Sequence, residues 1–223
     1  MTPAAATAAL SGGASSDRIV AWVAAVLAPR LPPAATLVDV GCGQGALADA
    51  LRGRLQRSLG LDVVAYPGLS GRPELAFHLA DLNAPPFPLP AAIADAAVAV
   101  ETIEHLENPR ALMRELVRLA RPGGLVLVTT PNQLSWLSKV SLVCKHEFTA
   151  FQEGPGLYPT HITALLPTDL LRIARECGLR DCELRYSLHG RLPGSARLYP
   201  AWLSRRCPRG ASDNVMLVGR TPA

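Results

Sequence analysis

The 223-residue chain predicts an α/β fold, a mostly parallel sheet with helices on both faces, and three observations lead there. An apolar run at 37–40 ends in glycines at 41, 43 and 45, and apolar residues at helical spacing follow it. Further short aliphatic runs alternate with amphipathic stretches along the rest of the chain. With 49% hydrophobic and 18% charged residues, the composition is that of one globular core.

The elements follow in order. Residues 1–13, rich in Ala, Thr, Ser and Gly, predict a disordered lead, and 14–223 read as a single domain. Ser15 or Ser16 caps a helix from Asp17 to about Ala28, which Pro29 and the pair Pro32-Pro33 stop. The glycine loop after the first strand permits positive φ and close backbone approach, and its amides with the next helix N-terminus can meet a polar or anionic group. That helix is expected over 46–55, with Leu47, Ala48, Leu51 and Leu55 facing in and Arg52, Arg54 and Arg57 facing out. A second strand at 59–61 ends in Asp62, and Pro67, Gly68, Gly71 and Pro73 then leave room for at most one helical turn. A third strand at 75–79 precedes Asp81 and Leu82, and Pro85, Pro86, Pro88 and Pro90 make an extended loop. The fourth strand is expected at 96–100. Asn108 and Pro109 open a helix reaching Ala120, Pro122-Gly123-Gly124 ends it, and a fifth strand covers 125–130. A helix at 168–177 capped by Gly178 and strands at 179–186 and 215–218 complete seven strands.

The glycine loop leaves two cofactors open. Gly41, Gly43 and Ala46, with Asp62 about twenty residues on, also satisfy the dinucleotide pattern of NAD enzymes. Asp39, Asp62 and Asp81 at three successive strand ends instead suit a cofactor with an amino-acid portion, a ribose and an adenine.

Val-Asp-Val-Gly-Cys-Gly-Gln-Gly at 38–45, Gly-Leu-Asp at 60–62 and Ala-Asp-Leu-Asn at 80–83 are followed by two further motifs. These are Glu-Thr-Ile-Glu-His at 101–105 and Arg-Pro-Gly-Gly-Leu-Val-Leu-Val-Thr-Thr-Pro-Asn at 121–132. In this order they resemble the class I S-adenosylmethionine (SAM)-dependent methyltransferases, most closely the UbiG/Coq3-like O-methyltransferases, over about 36–186. The resemblance implies a Rossmann-like seven-stranded sheet with its last strand antiparallel. It also implies SAM held by Asp39, Gly41, Gly43, Asp62, Asp81, Leu82 and Glu101.

Methyl transfer to a hydroxyl needs a base, and imidazole titrates near neutrality, so His105 and His161 are the catalytic candidates. In one helical turn Glu101, Glu104 and His105 would share a face. With His161 that set resembles the metal site of Hen1-type RNA 2′-O-methyltransferases. The expectation is that no metal is resident, these four being the ligands that a divalent ion would use. His78, His146 and His189 are expected to be structural or solvent-facing.

Two insertions, 131–167 and 187–214, lengthen the minimal fold, and 154–159 is expected to be flexible. The first carries Leu134, Trp136, Leu137, Val140, Leu142 and Val143 on a short helix apolar on more than one face; the second mixes Leu192, Leu198, Tyr199, Trp202 and Leu203 with five arginines. Both are expected to cover the acceptor pocket and to touch an anionic membrane. From Arg172 onward ten arginines face four acids, within a chain of net charge +4.

Five cysteines without a Cys-x-x-Cys pair argue against a zinc site or a disulfide framework and for a reducing, cytoplasmic location. Cys42 reads as a small residue filling the glycine turn. The function expected is methyl transfer to an oxygen of a small or amphipathic acceptor: lipid-linked, glycan or prenylated aromatic. The alternatives are an RNA 2′-O-methyltransferase, against which stands the lack of an RNA-binding module, and a non-catalytic SAM- or NAD-binding regulatory domain.

Overall fold

The computed structural model describes residues 13, 15–69, 72, 74–152 and 161–223. Seven strands form one sheet: β1 Ala35–Val40, β2 Leu55–Asp62, β3 Leu75–Leu79, β4 Ala94–Ala99, β5 Ala120–Pro131, β6 Arg180–Tyr186 and β7 Asn214–Arg220. Their order is β3-β2-β1-β4-β5-β7-β6, parallel except for β7, which runs antiparallel to both β5 and β6. The principal helices are α1 Asp17–Leu27, α2 Ala46–Ala50, α3 Pro109–Leu119, α4 Trp136–Lys145, α5 Pro167–Glu176 and α6 Ala201–Arg206.

Alternation along the strands divides the core into two layers. Val38, Leu59, Ala97, Val126 and Leu217 pack with Leu112, Leu116 and Met113 of α3 and Leu170 and Ile173 of α5. Leu37, Ala96, Val98, Leu127 and Met216, on the opposite face, pack with Val23, Val26 and Leu27 of α1 and Leu47 of α2. Period 2 in the strands meets period 3.6 in the helices, as a sheet covered on both sides requires.

The sequence reading needs correction at α2, which ends at Ala50 rather than running to 55. Gly53, at φ 85°, reverses the chain, and Leu55 and Arg57 belong to β2. Pro67–Leu69 is a 3₁₀ turn within the Gly- and Pro-rich stretch. β5 starts before 125: Ala120 pairs with Ala94, an irregularity follows, and regular pairing resumes from Ala96 and Leu125. The expected lead at 1–13 lies outside the described residues except for Gly13, whose carbonyl accepts the Gln44 amide. The flexible stretch expected at 154–159 also lies outside them. Among the described residues no helix is long and apolar enough to cross a membrane.

The Pro-rich loop is fixed by a contact that the sequence hid. Glu115 of α3 accepts the Phe87 amide at 2.8 Å, and Arg118 bonds Glu115 and the carbonyls of Phe87 and Leu89. Burial pushes the Glu115 carboxyl up, but Arg118 and the Phe87 amide outweigh it and hold the pKa below the ordinary 4.5. A depressed folded pKa gives stability that is present above the unfolded value and lost as pH falls through the folded one. Arg118→Ala should therefore cost about 1–3 kcal/mol at neutral pH. Urea unfolding should show the gap between the two proteins narrowing below about pH 4.5; an equal gap at every pH would refute this account of the clamp.

Candidate functional site

β1 lies between β2 and β4, so its carboxyl end, the end of β2 and the segment after β4 converge on one edge of the sheet. Gly41, Gly43 and Gly45 all have positive φ. A Cβ at Gly41 would stand 2.2 Å from Thr102 Oγ1, and one at Gly43 would stand 2.1 Å from the Gly13 carbonyl oxygen. Thr102 itself bridges the ends of β1 and β4, its hydroxyl lying within hydrogen-bonding distance of the Val40 and Val100 carbonyls. The glycines are thus required by contacts within the protein as well as by any ligand.

A cavity of about 440 Å³ opens over this edge. Asp39, Gly41, Gly43, Asp62, Asp81, Leu82, Glu101, Glu104, His105 and His161 all line it, so the cofactor candidates and the acid-histidine candidates share one chamber. Asp62 accepts the Gly43 amide at 2.8 Å on one oxygen and the Val63 and Val64 amides on the other. Burial still raises its pKa, against the lowering by those three amides. Asp39 is 4% exposed, Oδ1 has no hydrogen-bond partner among the described residues, and burial followed by the Asp62 charge lifts its pKa to about 7. Asp81 is exposed and accepts the Asn83 amide, while Leu82 is buried. Cys42 fills the space beside Gly60, and burial and then the Asp39 and Asp62 charges push its thiol up, as suits a packing residue rather than a nucleophile.

The acid-histidine set assembles differently from the one-turn expectation. Ile103–His105 is a 3₁₀ turn, and Glu101 precedes it at φ 50°. Thr129 Oγ1 and Asn214 Nδ2 donate to the two oxygens of Glu101, at 2.8 and 2.7 Å, and burial raises its pKa to about 7 against these two bonds. Held from β5 and β7, Glu101 stands outside the cluster of Glu104, His105 and His161, whose ligand atoms lie within 4.8 Å of one another. That trio could hold a cation, and two imidazoles with one carboxylate suit a transition metal better than magnesium.

Backbone bonds bring His161 to this place from far along the chain. The Glu104 carbonyl accepts the Ile162 and Thr163 amides, and the Thr163 hydroxyl donates to the Leu106 carbonyl. The two imidazole rings lie 4.6 Å apart, edge to face. His161 Nδ1 meets the Ala150 carbonyl; since a carbonyl only accepts, Nδ1 carries the proton and Nε2 keeps its lone pair. Burial lowers the His161 pKa, against the Ala150 carbonyl that raises it, and so favours the neutral ring. Glu104 is fully buried, and burial and then the Glu101 charge push its pKa well up, against a smaller lowering by the Thr130 hydroxyl.

A second cavity, of about 630 Å³, adjoins the first, and Ser16, Ile19 and Glu101 line both. Asn132, Gln133, Leu137, Leu198 and Asn214 line the second alone, so both insertions contribute to it. Sequence reasoning missed Thr102, Thr129 and Asn214 as the residues that set Glu101 and the loop. Thr129 lies within the Thr-Thr-Pro-Asn run, but its pairing with residue 101 needs the β4–β5 register.

A parallel sheet with an antiparallel β7 inserted beside β5, a glycine loop after β1 and acids at the first strand ends define the class I methyltransferase fold. Residues 16–184 match the family model described as a methyltransferase domain, and the chain belongs to that family. A probable S-adenosylmethionine-dependent methyltransferase of Mycolicibacterium smegmatis is 34% identical over 163 residues, covering 69% of this chain and 55% of that protein. A ubiquinone biosynthesis O-methyltransferase of Sodalis glossinidius is 31% identical over 113 residues, covering 47% of this chain and 45% of the relative. The chain thus spans about half the length of these curated relatives. A SAM dependent methyltransferase structure from Archaeoglobus fulgidus superposes with a TM-score of 0.65 at 15% identity, covering 93% of this chain and 95% of that one.

Gly41→Ala should lower stability by about 1–3 kcal/mol, because positive φ and the Thr102 contact act together. Denaturant unfolding at the wild-type midpoint would show that the loop does not need this close approach.

Proposed function

We propose that the chain transfers a methyl group from SAM to an oxygen of a small or amphipathic acceptor. The observation that carries this reading is a neutral imidazole, His161, with its Nε2 lone pair available on the wall of the chamber that the glycine loop and Asp62 line. The chamber suits SAM: Asp39 offers an ammonium group a buried oxygen with no partner among the described residues, Asp62 and Asp81 offer acceptors to hydroxyl and adenine donors, and the acidic lining favours a cationic ligand. Bound there, SAM supplies an electrophilic methyl on a sulfonium.

The protein's part is to orient and to move one proton. Fixed donor and acceptor geometry supplies roughly 7–11 kcal/mol of the rate enhancement in such displacements. His161 Nε2 would take the proton that the acceptor hydroxyl gives up as the sulfonium's bond to its methyl breaks and leaves a neutral thioether, and His105 packs against that ring to fix its plane. The second cavity, with Leu137 and Leu198 beside Asn132 and Gln133, suits an acceptor that is part apolar and part hydrogen-bonding. A cation held by Glu104, His105 and His161 is the rival account of the same trio, acting on the oxygen as a Lewis acid.

Asp62→Ala should weaken SAM binding by about 1.5–3 kcal/mol, as expected for lost hydrogen bonds to a charged group. Calorimetry giving wild-type SAM affinity would count against the methyltransferase reading. His105→Ala and His161→Ala should retain SAM affinity and lose turnover in transfer assays against hydroxylated acceptors. If a chelator leaves wild-type activity unchanged while His161→Ala abolishes it, the base account stands and the metal account fails; retention of SAM with no transfer to any acceptor would favour a regulatory domain.

A further inference from the structure

α4 is built inside out. Its N-cap Ser135 and the helix residues Ser138 and Ser141 are buried, while Val140, Leu142 and Val143 are exposed, Val143 to 77%. The serines have partners inside: Ser138 Oγ accepts the Thr149 amide and Ser141 Oγ accepts Gln152 Nε2. An isolated amphipathic helix would bury the valines and expose the serines.

The second insertion repeats the pattern. Trp202 on α6 is 70% exposed and Leu188 is exposed as well. Of six exposed large hydrophobic side chains among the described residues, five lie in the two insertions, and only Leu79 lies elsewhere.

The insertions form one unit. Asn132 Nδ2 donates to the Arg209 and Ser212 carbonyls, the Trp136 amide donates to the Gly210 carbonyl at 2.7 Å, and the Trp136 ring packs edge-on against Tyr199. A Cβ at Gly210 would lie 2.6 Å from the Trp136 ring, so this junction is tight. Val140 and Val143 stand four and seven residues beyond Trp136, on its face of the helix, and α6 begins two residues after Tyr199.

Charge on this unit is predominantly basic. Residues 187–214 hold five arginines against Asp213, which pairs with Arg191, and residues 131–167 hold Lys139 and Lys145 against Glu147 and Glu153. Arg197, Arg205, Arg206, Arg209 and Lys139 are exposed, and none is in an ion pair among the described residues.

We infer that the joined insertions are a docking face for an anionic lipid bilayer, with Val140, Val143 and Trp202 entering the headgroup region and Arg205, Arg206 and Arg209 meeting lipid phosphates. Exposed aliphatic and indole side chains beside unpaired cations match an interface that is apolar within and negative at its surface. Nucleic acid would match the arginines but not the valines, and a second copy of the chain would meet like charge.

Co-sedimentation with mixed phosphatidylcholine–phosphatidylglycerol vesicles, and with phosphatidylcholine alone, tests this on the full chain. Binding should need the anionic lipid and fall with salt. It should drop about 100-fold when Arg205, Arg206 and Arg209 are all replaced by Ala, at about fivefold per charge. Trp202→Ser with Val143→Ser should weaken it severalfold with the arginines in place. SAM affinity, measured in parallel, should stay at the wild-type value in both variants, which separates this face from the methyltransferase site. No vesicle binding by wild type, binding indifferent to both sets of substitutions, or light scattering that shows a dimer lost in the serine variant would overturn the inference. So would duplex RNA bound with the arginines required and the valine and tryptophan dispensable.

Discussion

Four carboxyl groups, those of Asp39, Asp62, Glu101 and Glu104, converge on one edge of the sheet, and none of them is paired to a lysine or arginine among the described residues. Ionised together in a low-dielectric site they would oppose folding, and the chain answers in two ways. Asp62 and Glu101 receive hydrogen bonds from loop amides, Thr129 and Asn214. Asp39 Oδ1 has no partner among the described residues, Glu104 is fully buried, and burial raises the pKa of both. The edge is a site whose best-matched occupant is a cation, and its electrostatic cost is offset by the apolar packing of the layers below it.

The same edge dictates where the additions to the fold can go. β5 is followed at once by Asn132, which fastens the first insertion to the last turn of the second before β7 begins. Because β7 lies between β5 and β6, the segments that leave β5 and enter β7 emerge side by side. Their shared cavity borders the cofactor chamber at Glu101, so the residue held from β5 and β7 forms the wall between the two spaces. The Thr102 bridge and the Gly41 contact keep that wall close to the loop. Packing and chemistry therefore share residues here, and a substitution aimed at one will disturb the other.

Much of this was legible in the order of residues, because short-range physics decides it. Glycines at 41, 43 and 45 after an apolar run fix a tight turn whatever the rest of the chain does. Asp39, Asp62, Asp81 and Leu82 reach the chamber because strand ends in a parallel sheet lie on one edge. The end of α2 was misread, since Leu55 fits a helical apolar spacing as well as a buried strand, and the Gly53 turn decides between them. The inversion of α4 could not be read either: periodicity shows that a helix has two faces and does not say which one the protein covers.

Local conformational preference and period set the element order, the glycine turn, the strand-end acids and the two histidines as candidates. Tertiary packing decided that Glu101 is held by Thr129 and Asn214 while Glu104, His105 and His161 draw together. It decided too that His161 carries its proton on Nδ1 and that the valines of α4 face outward. These outcomes depend on strand register and on contacts between residues from 11 to 113 positions apart, which no periodicity in the chain specifies.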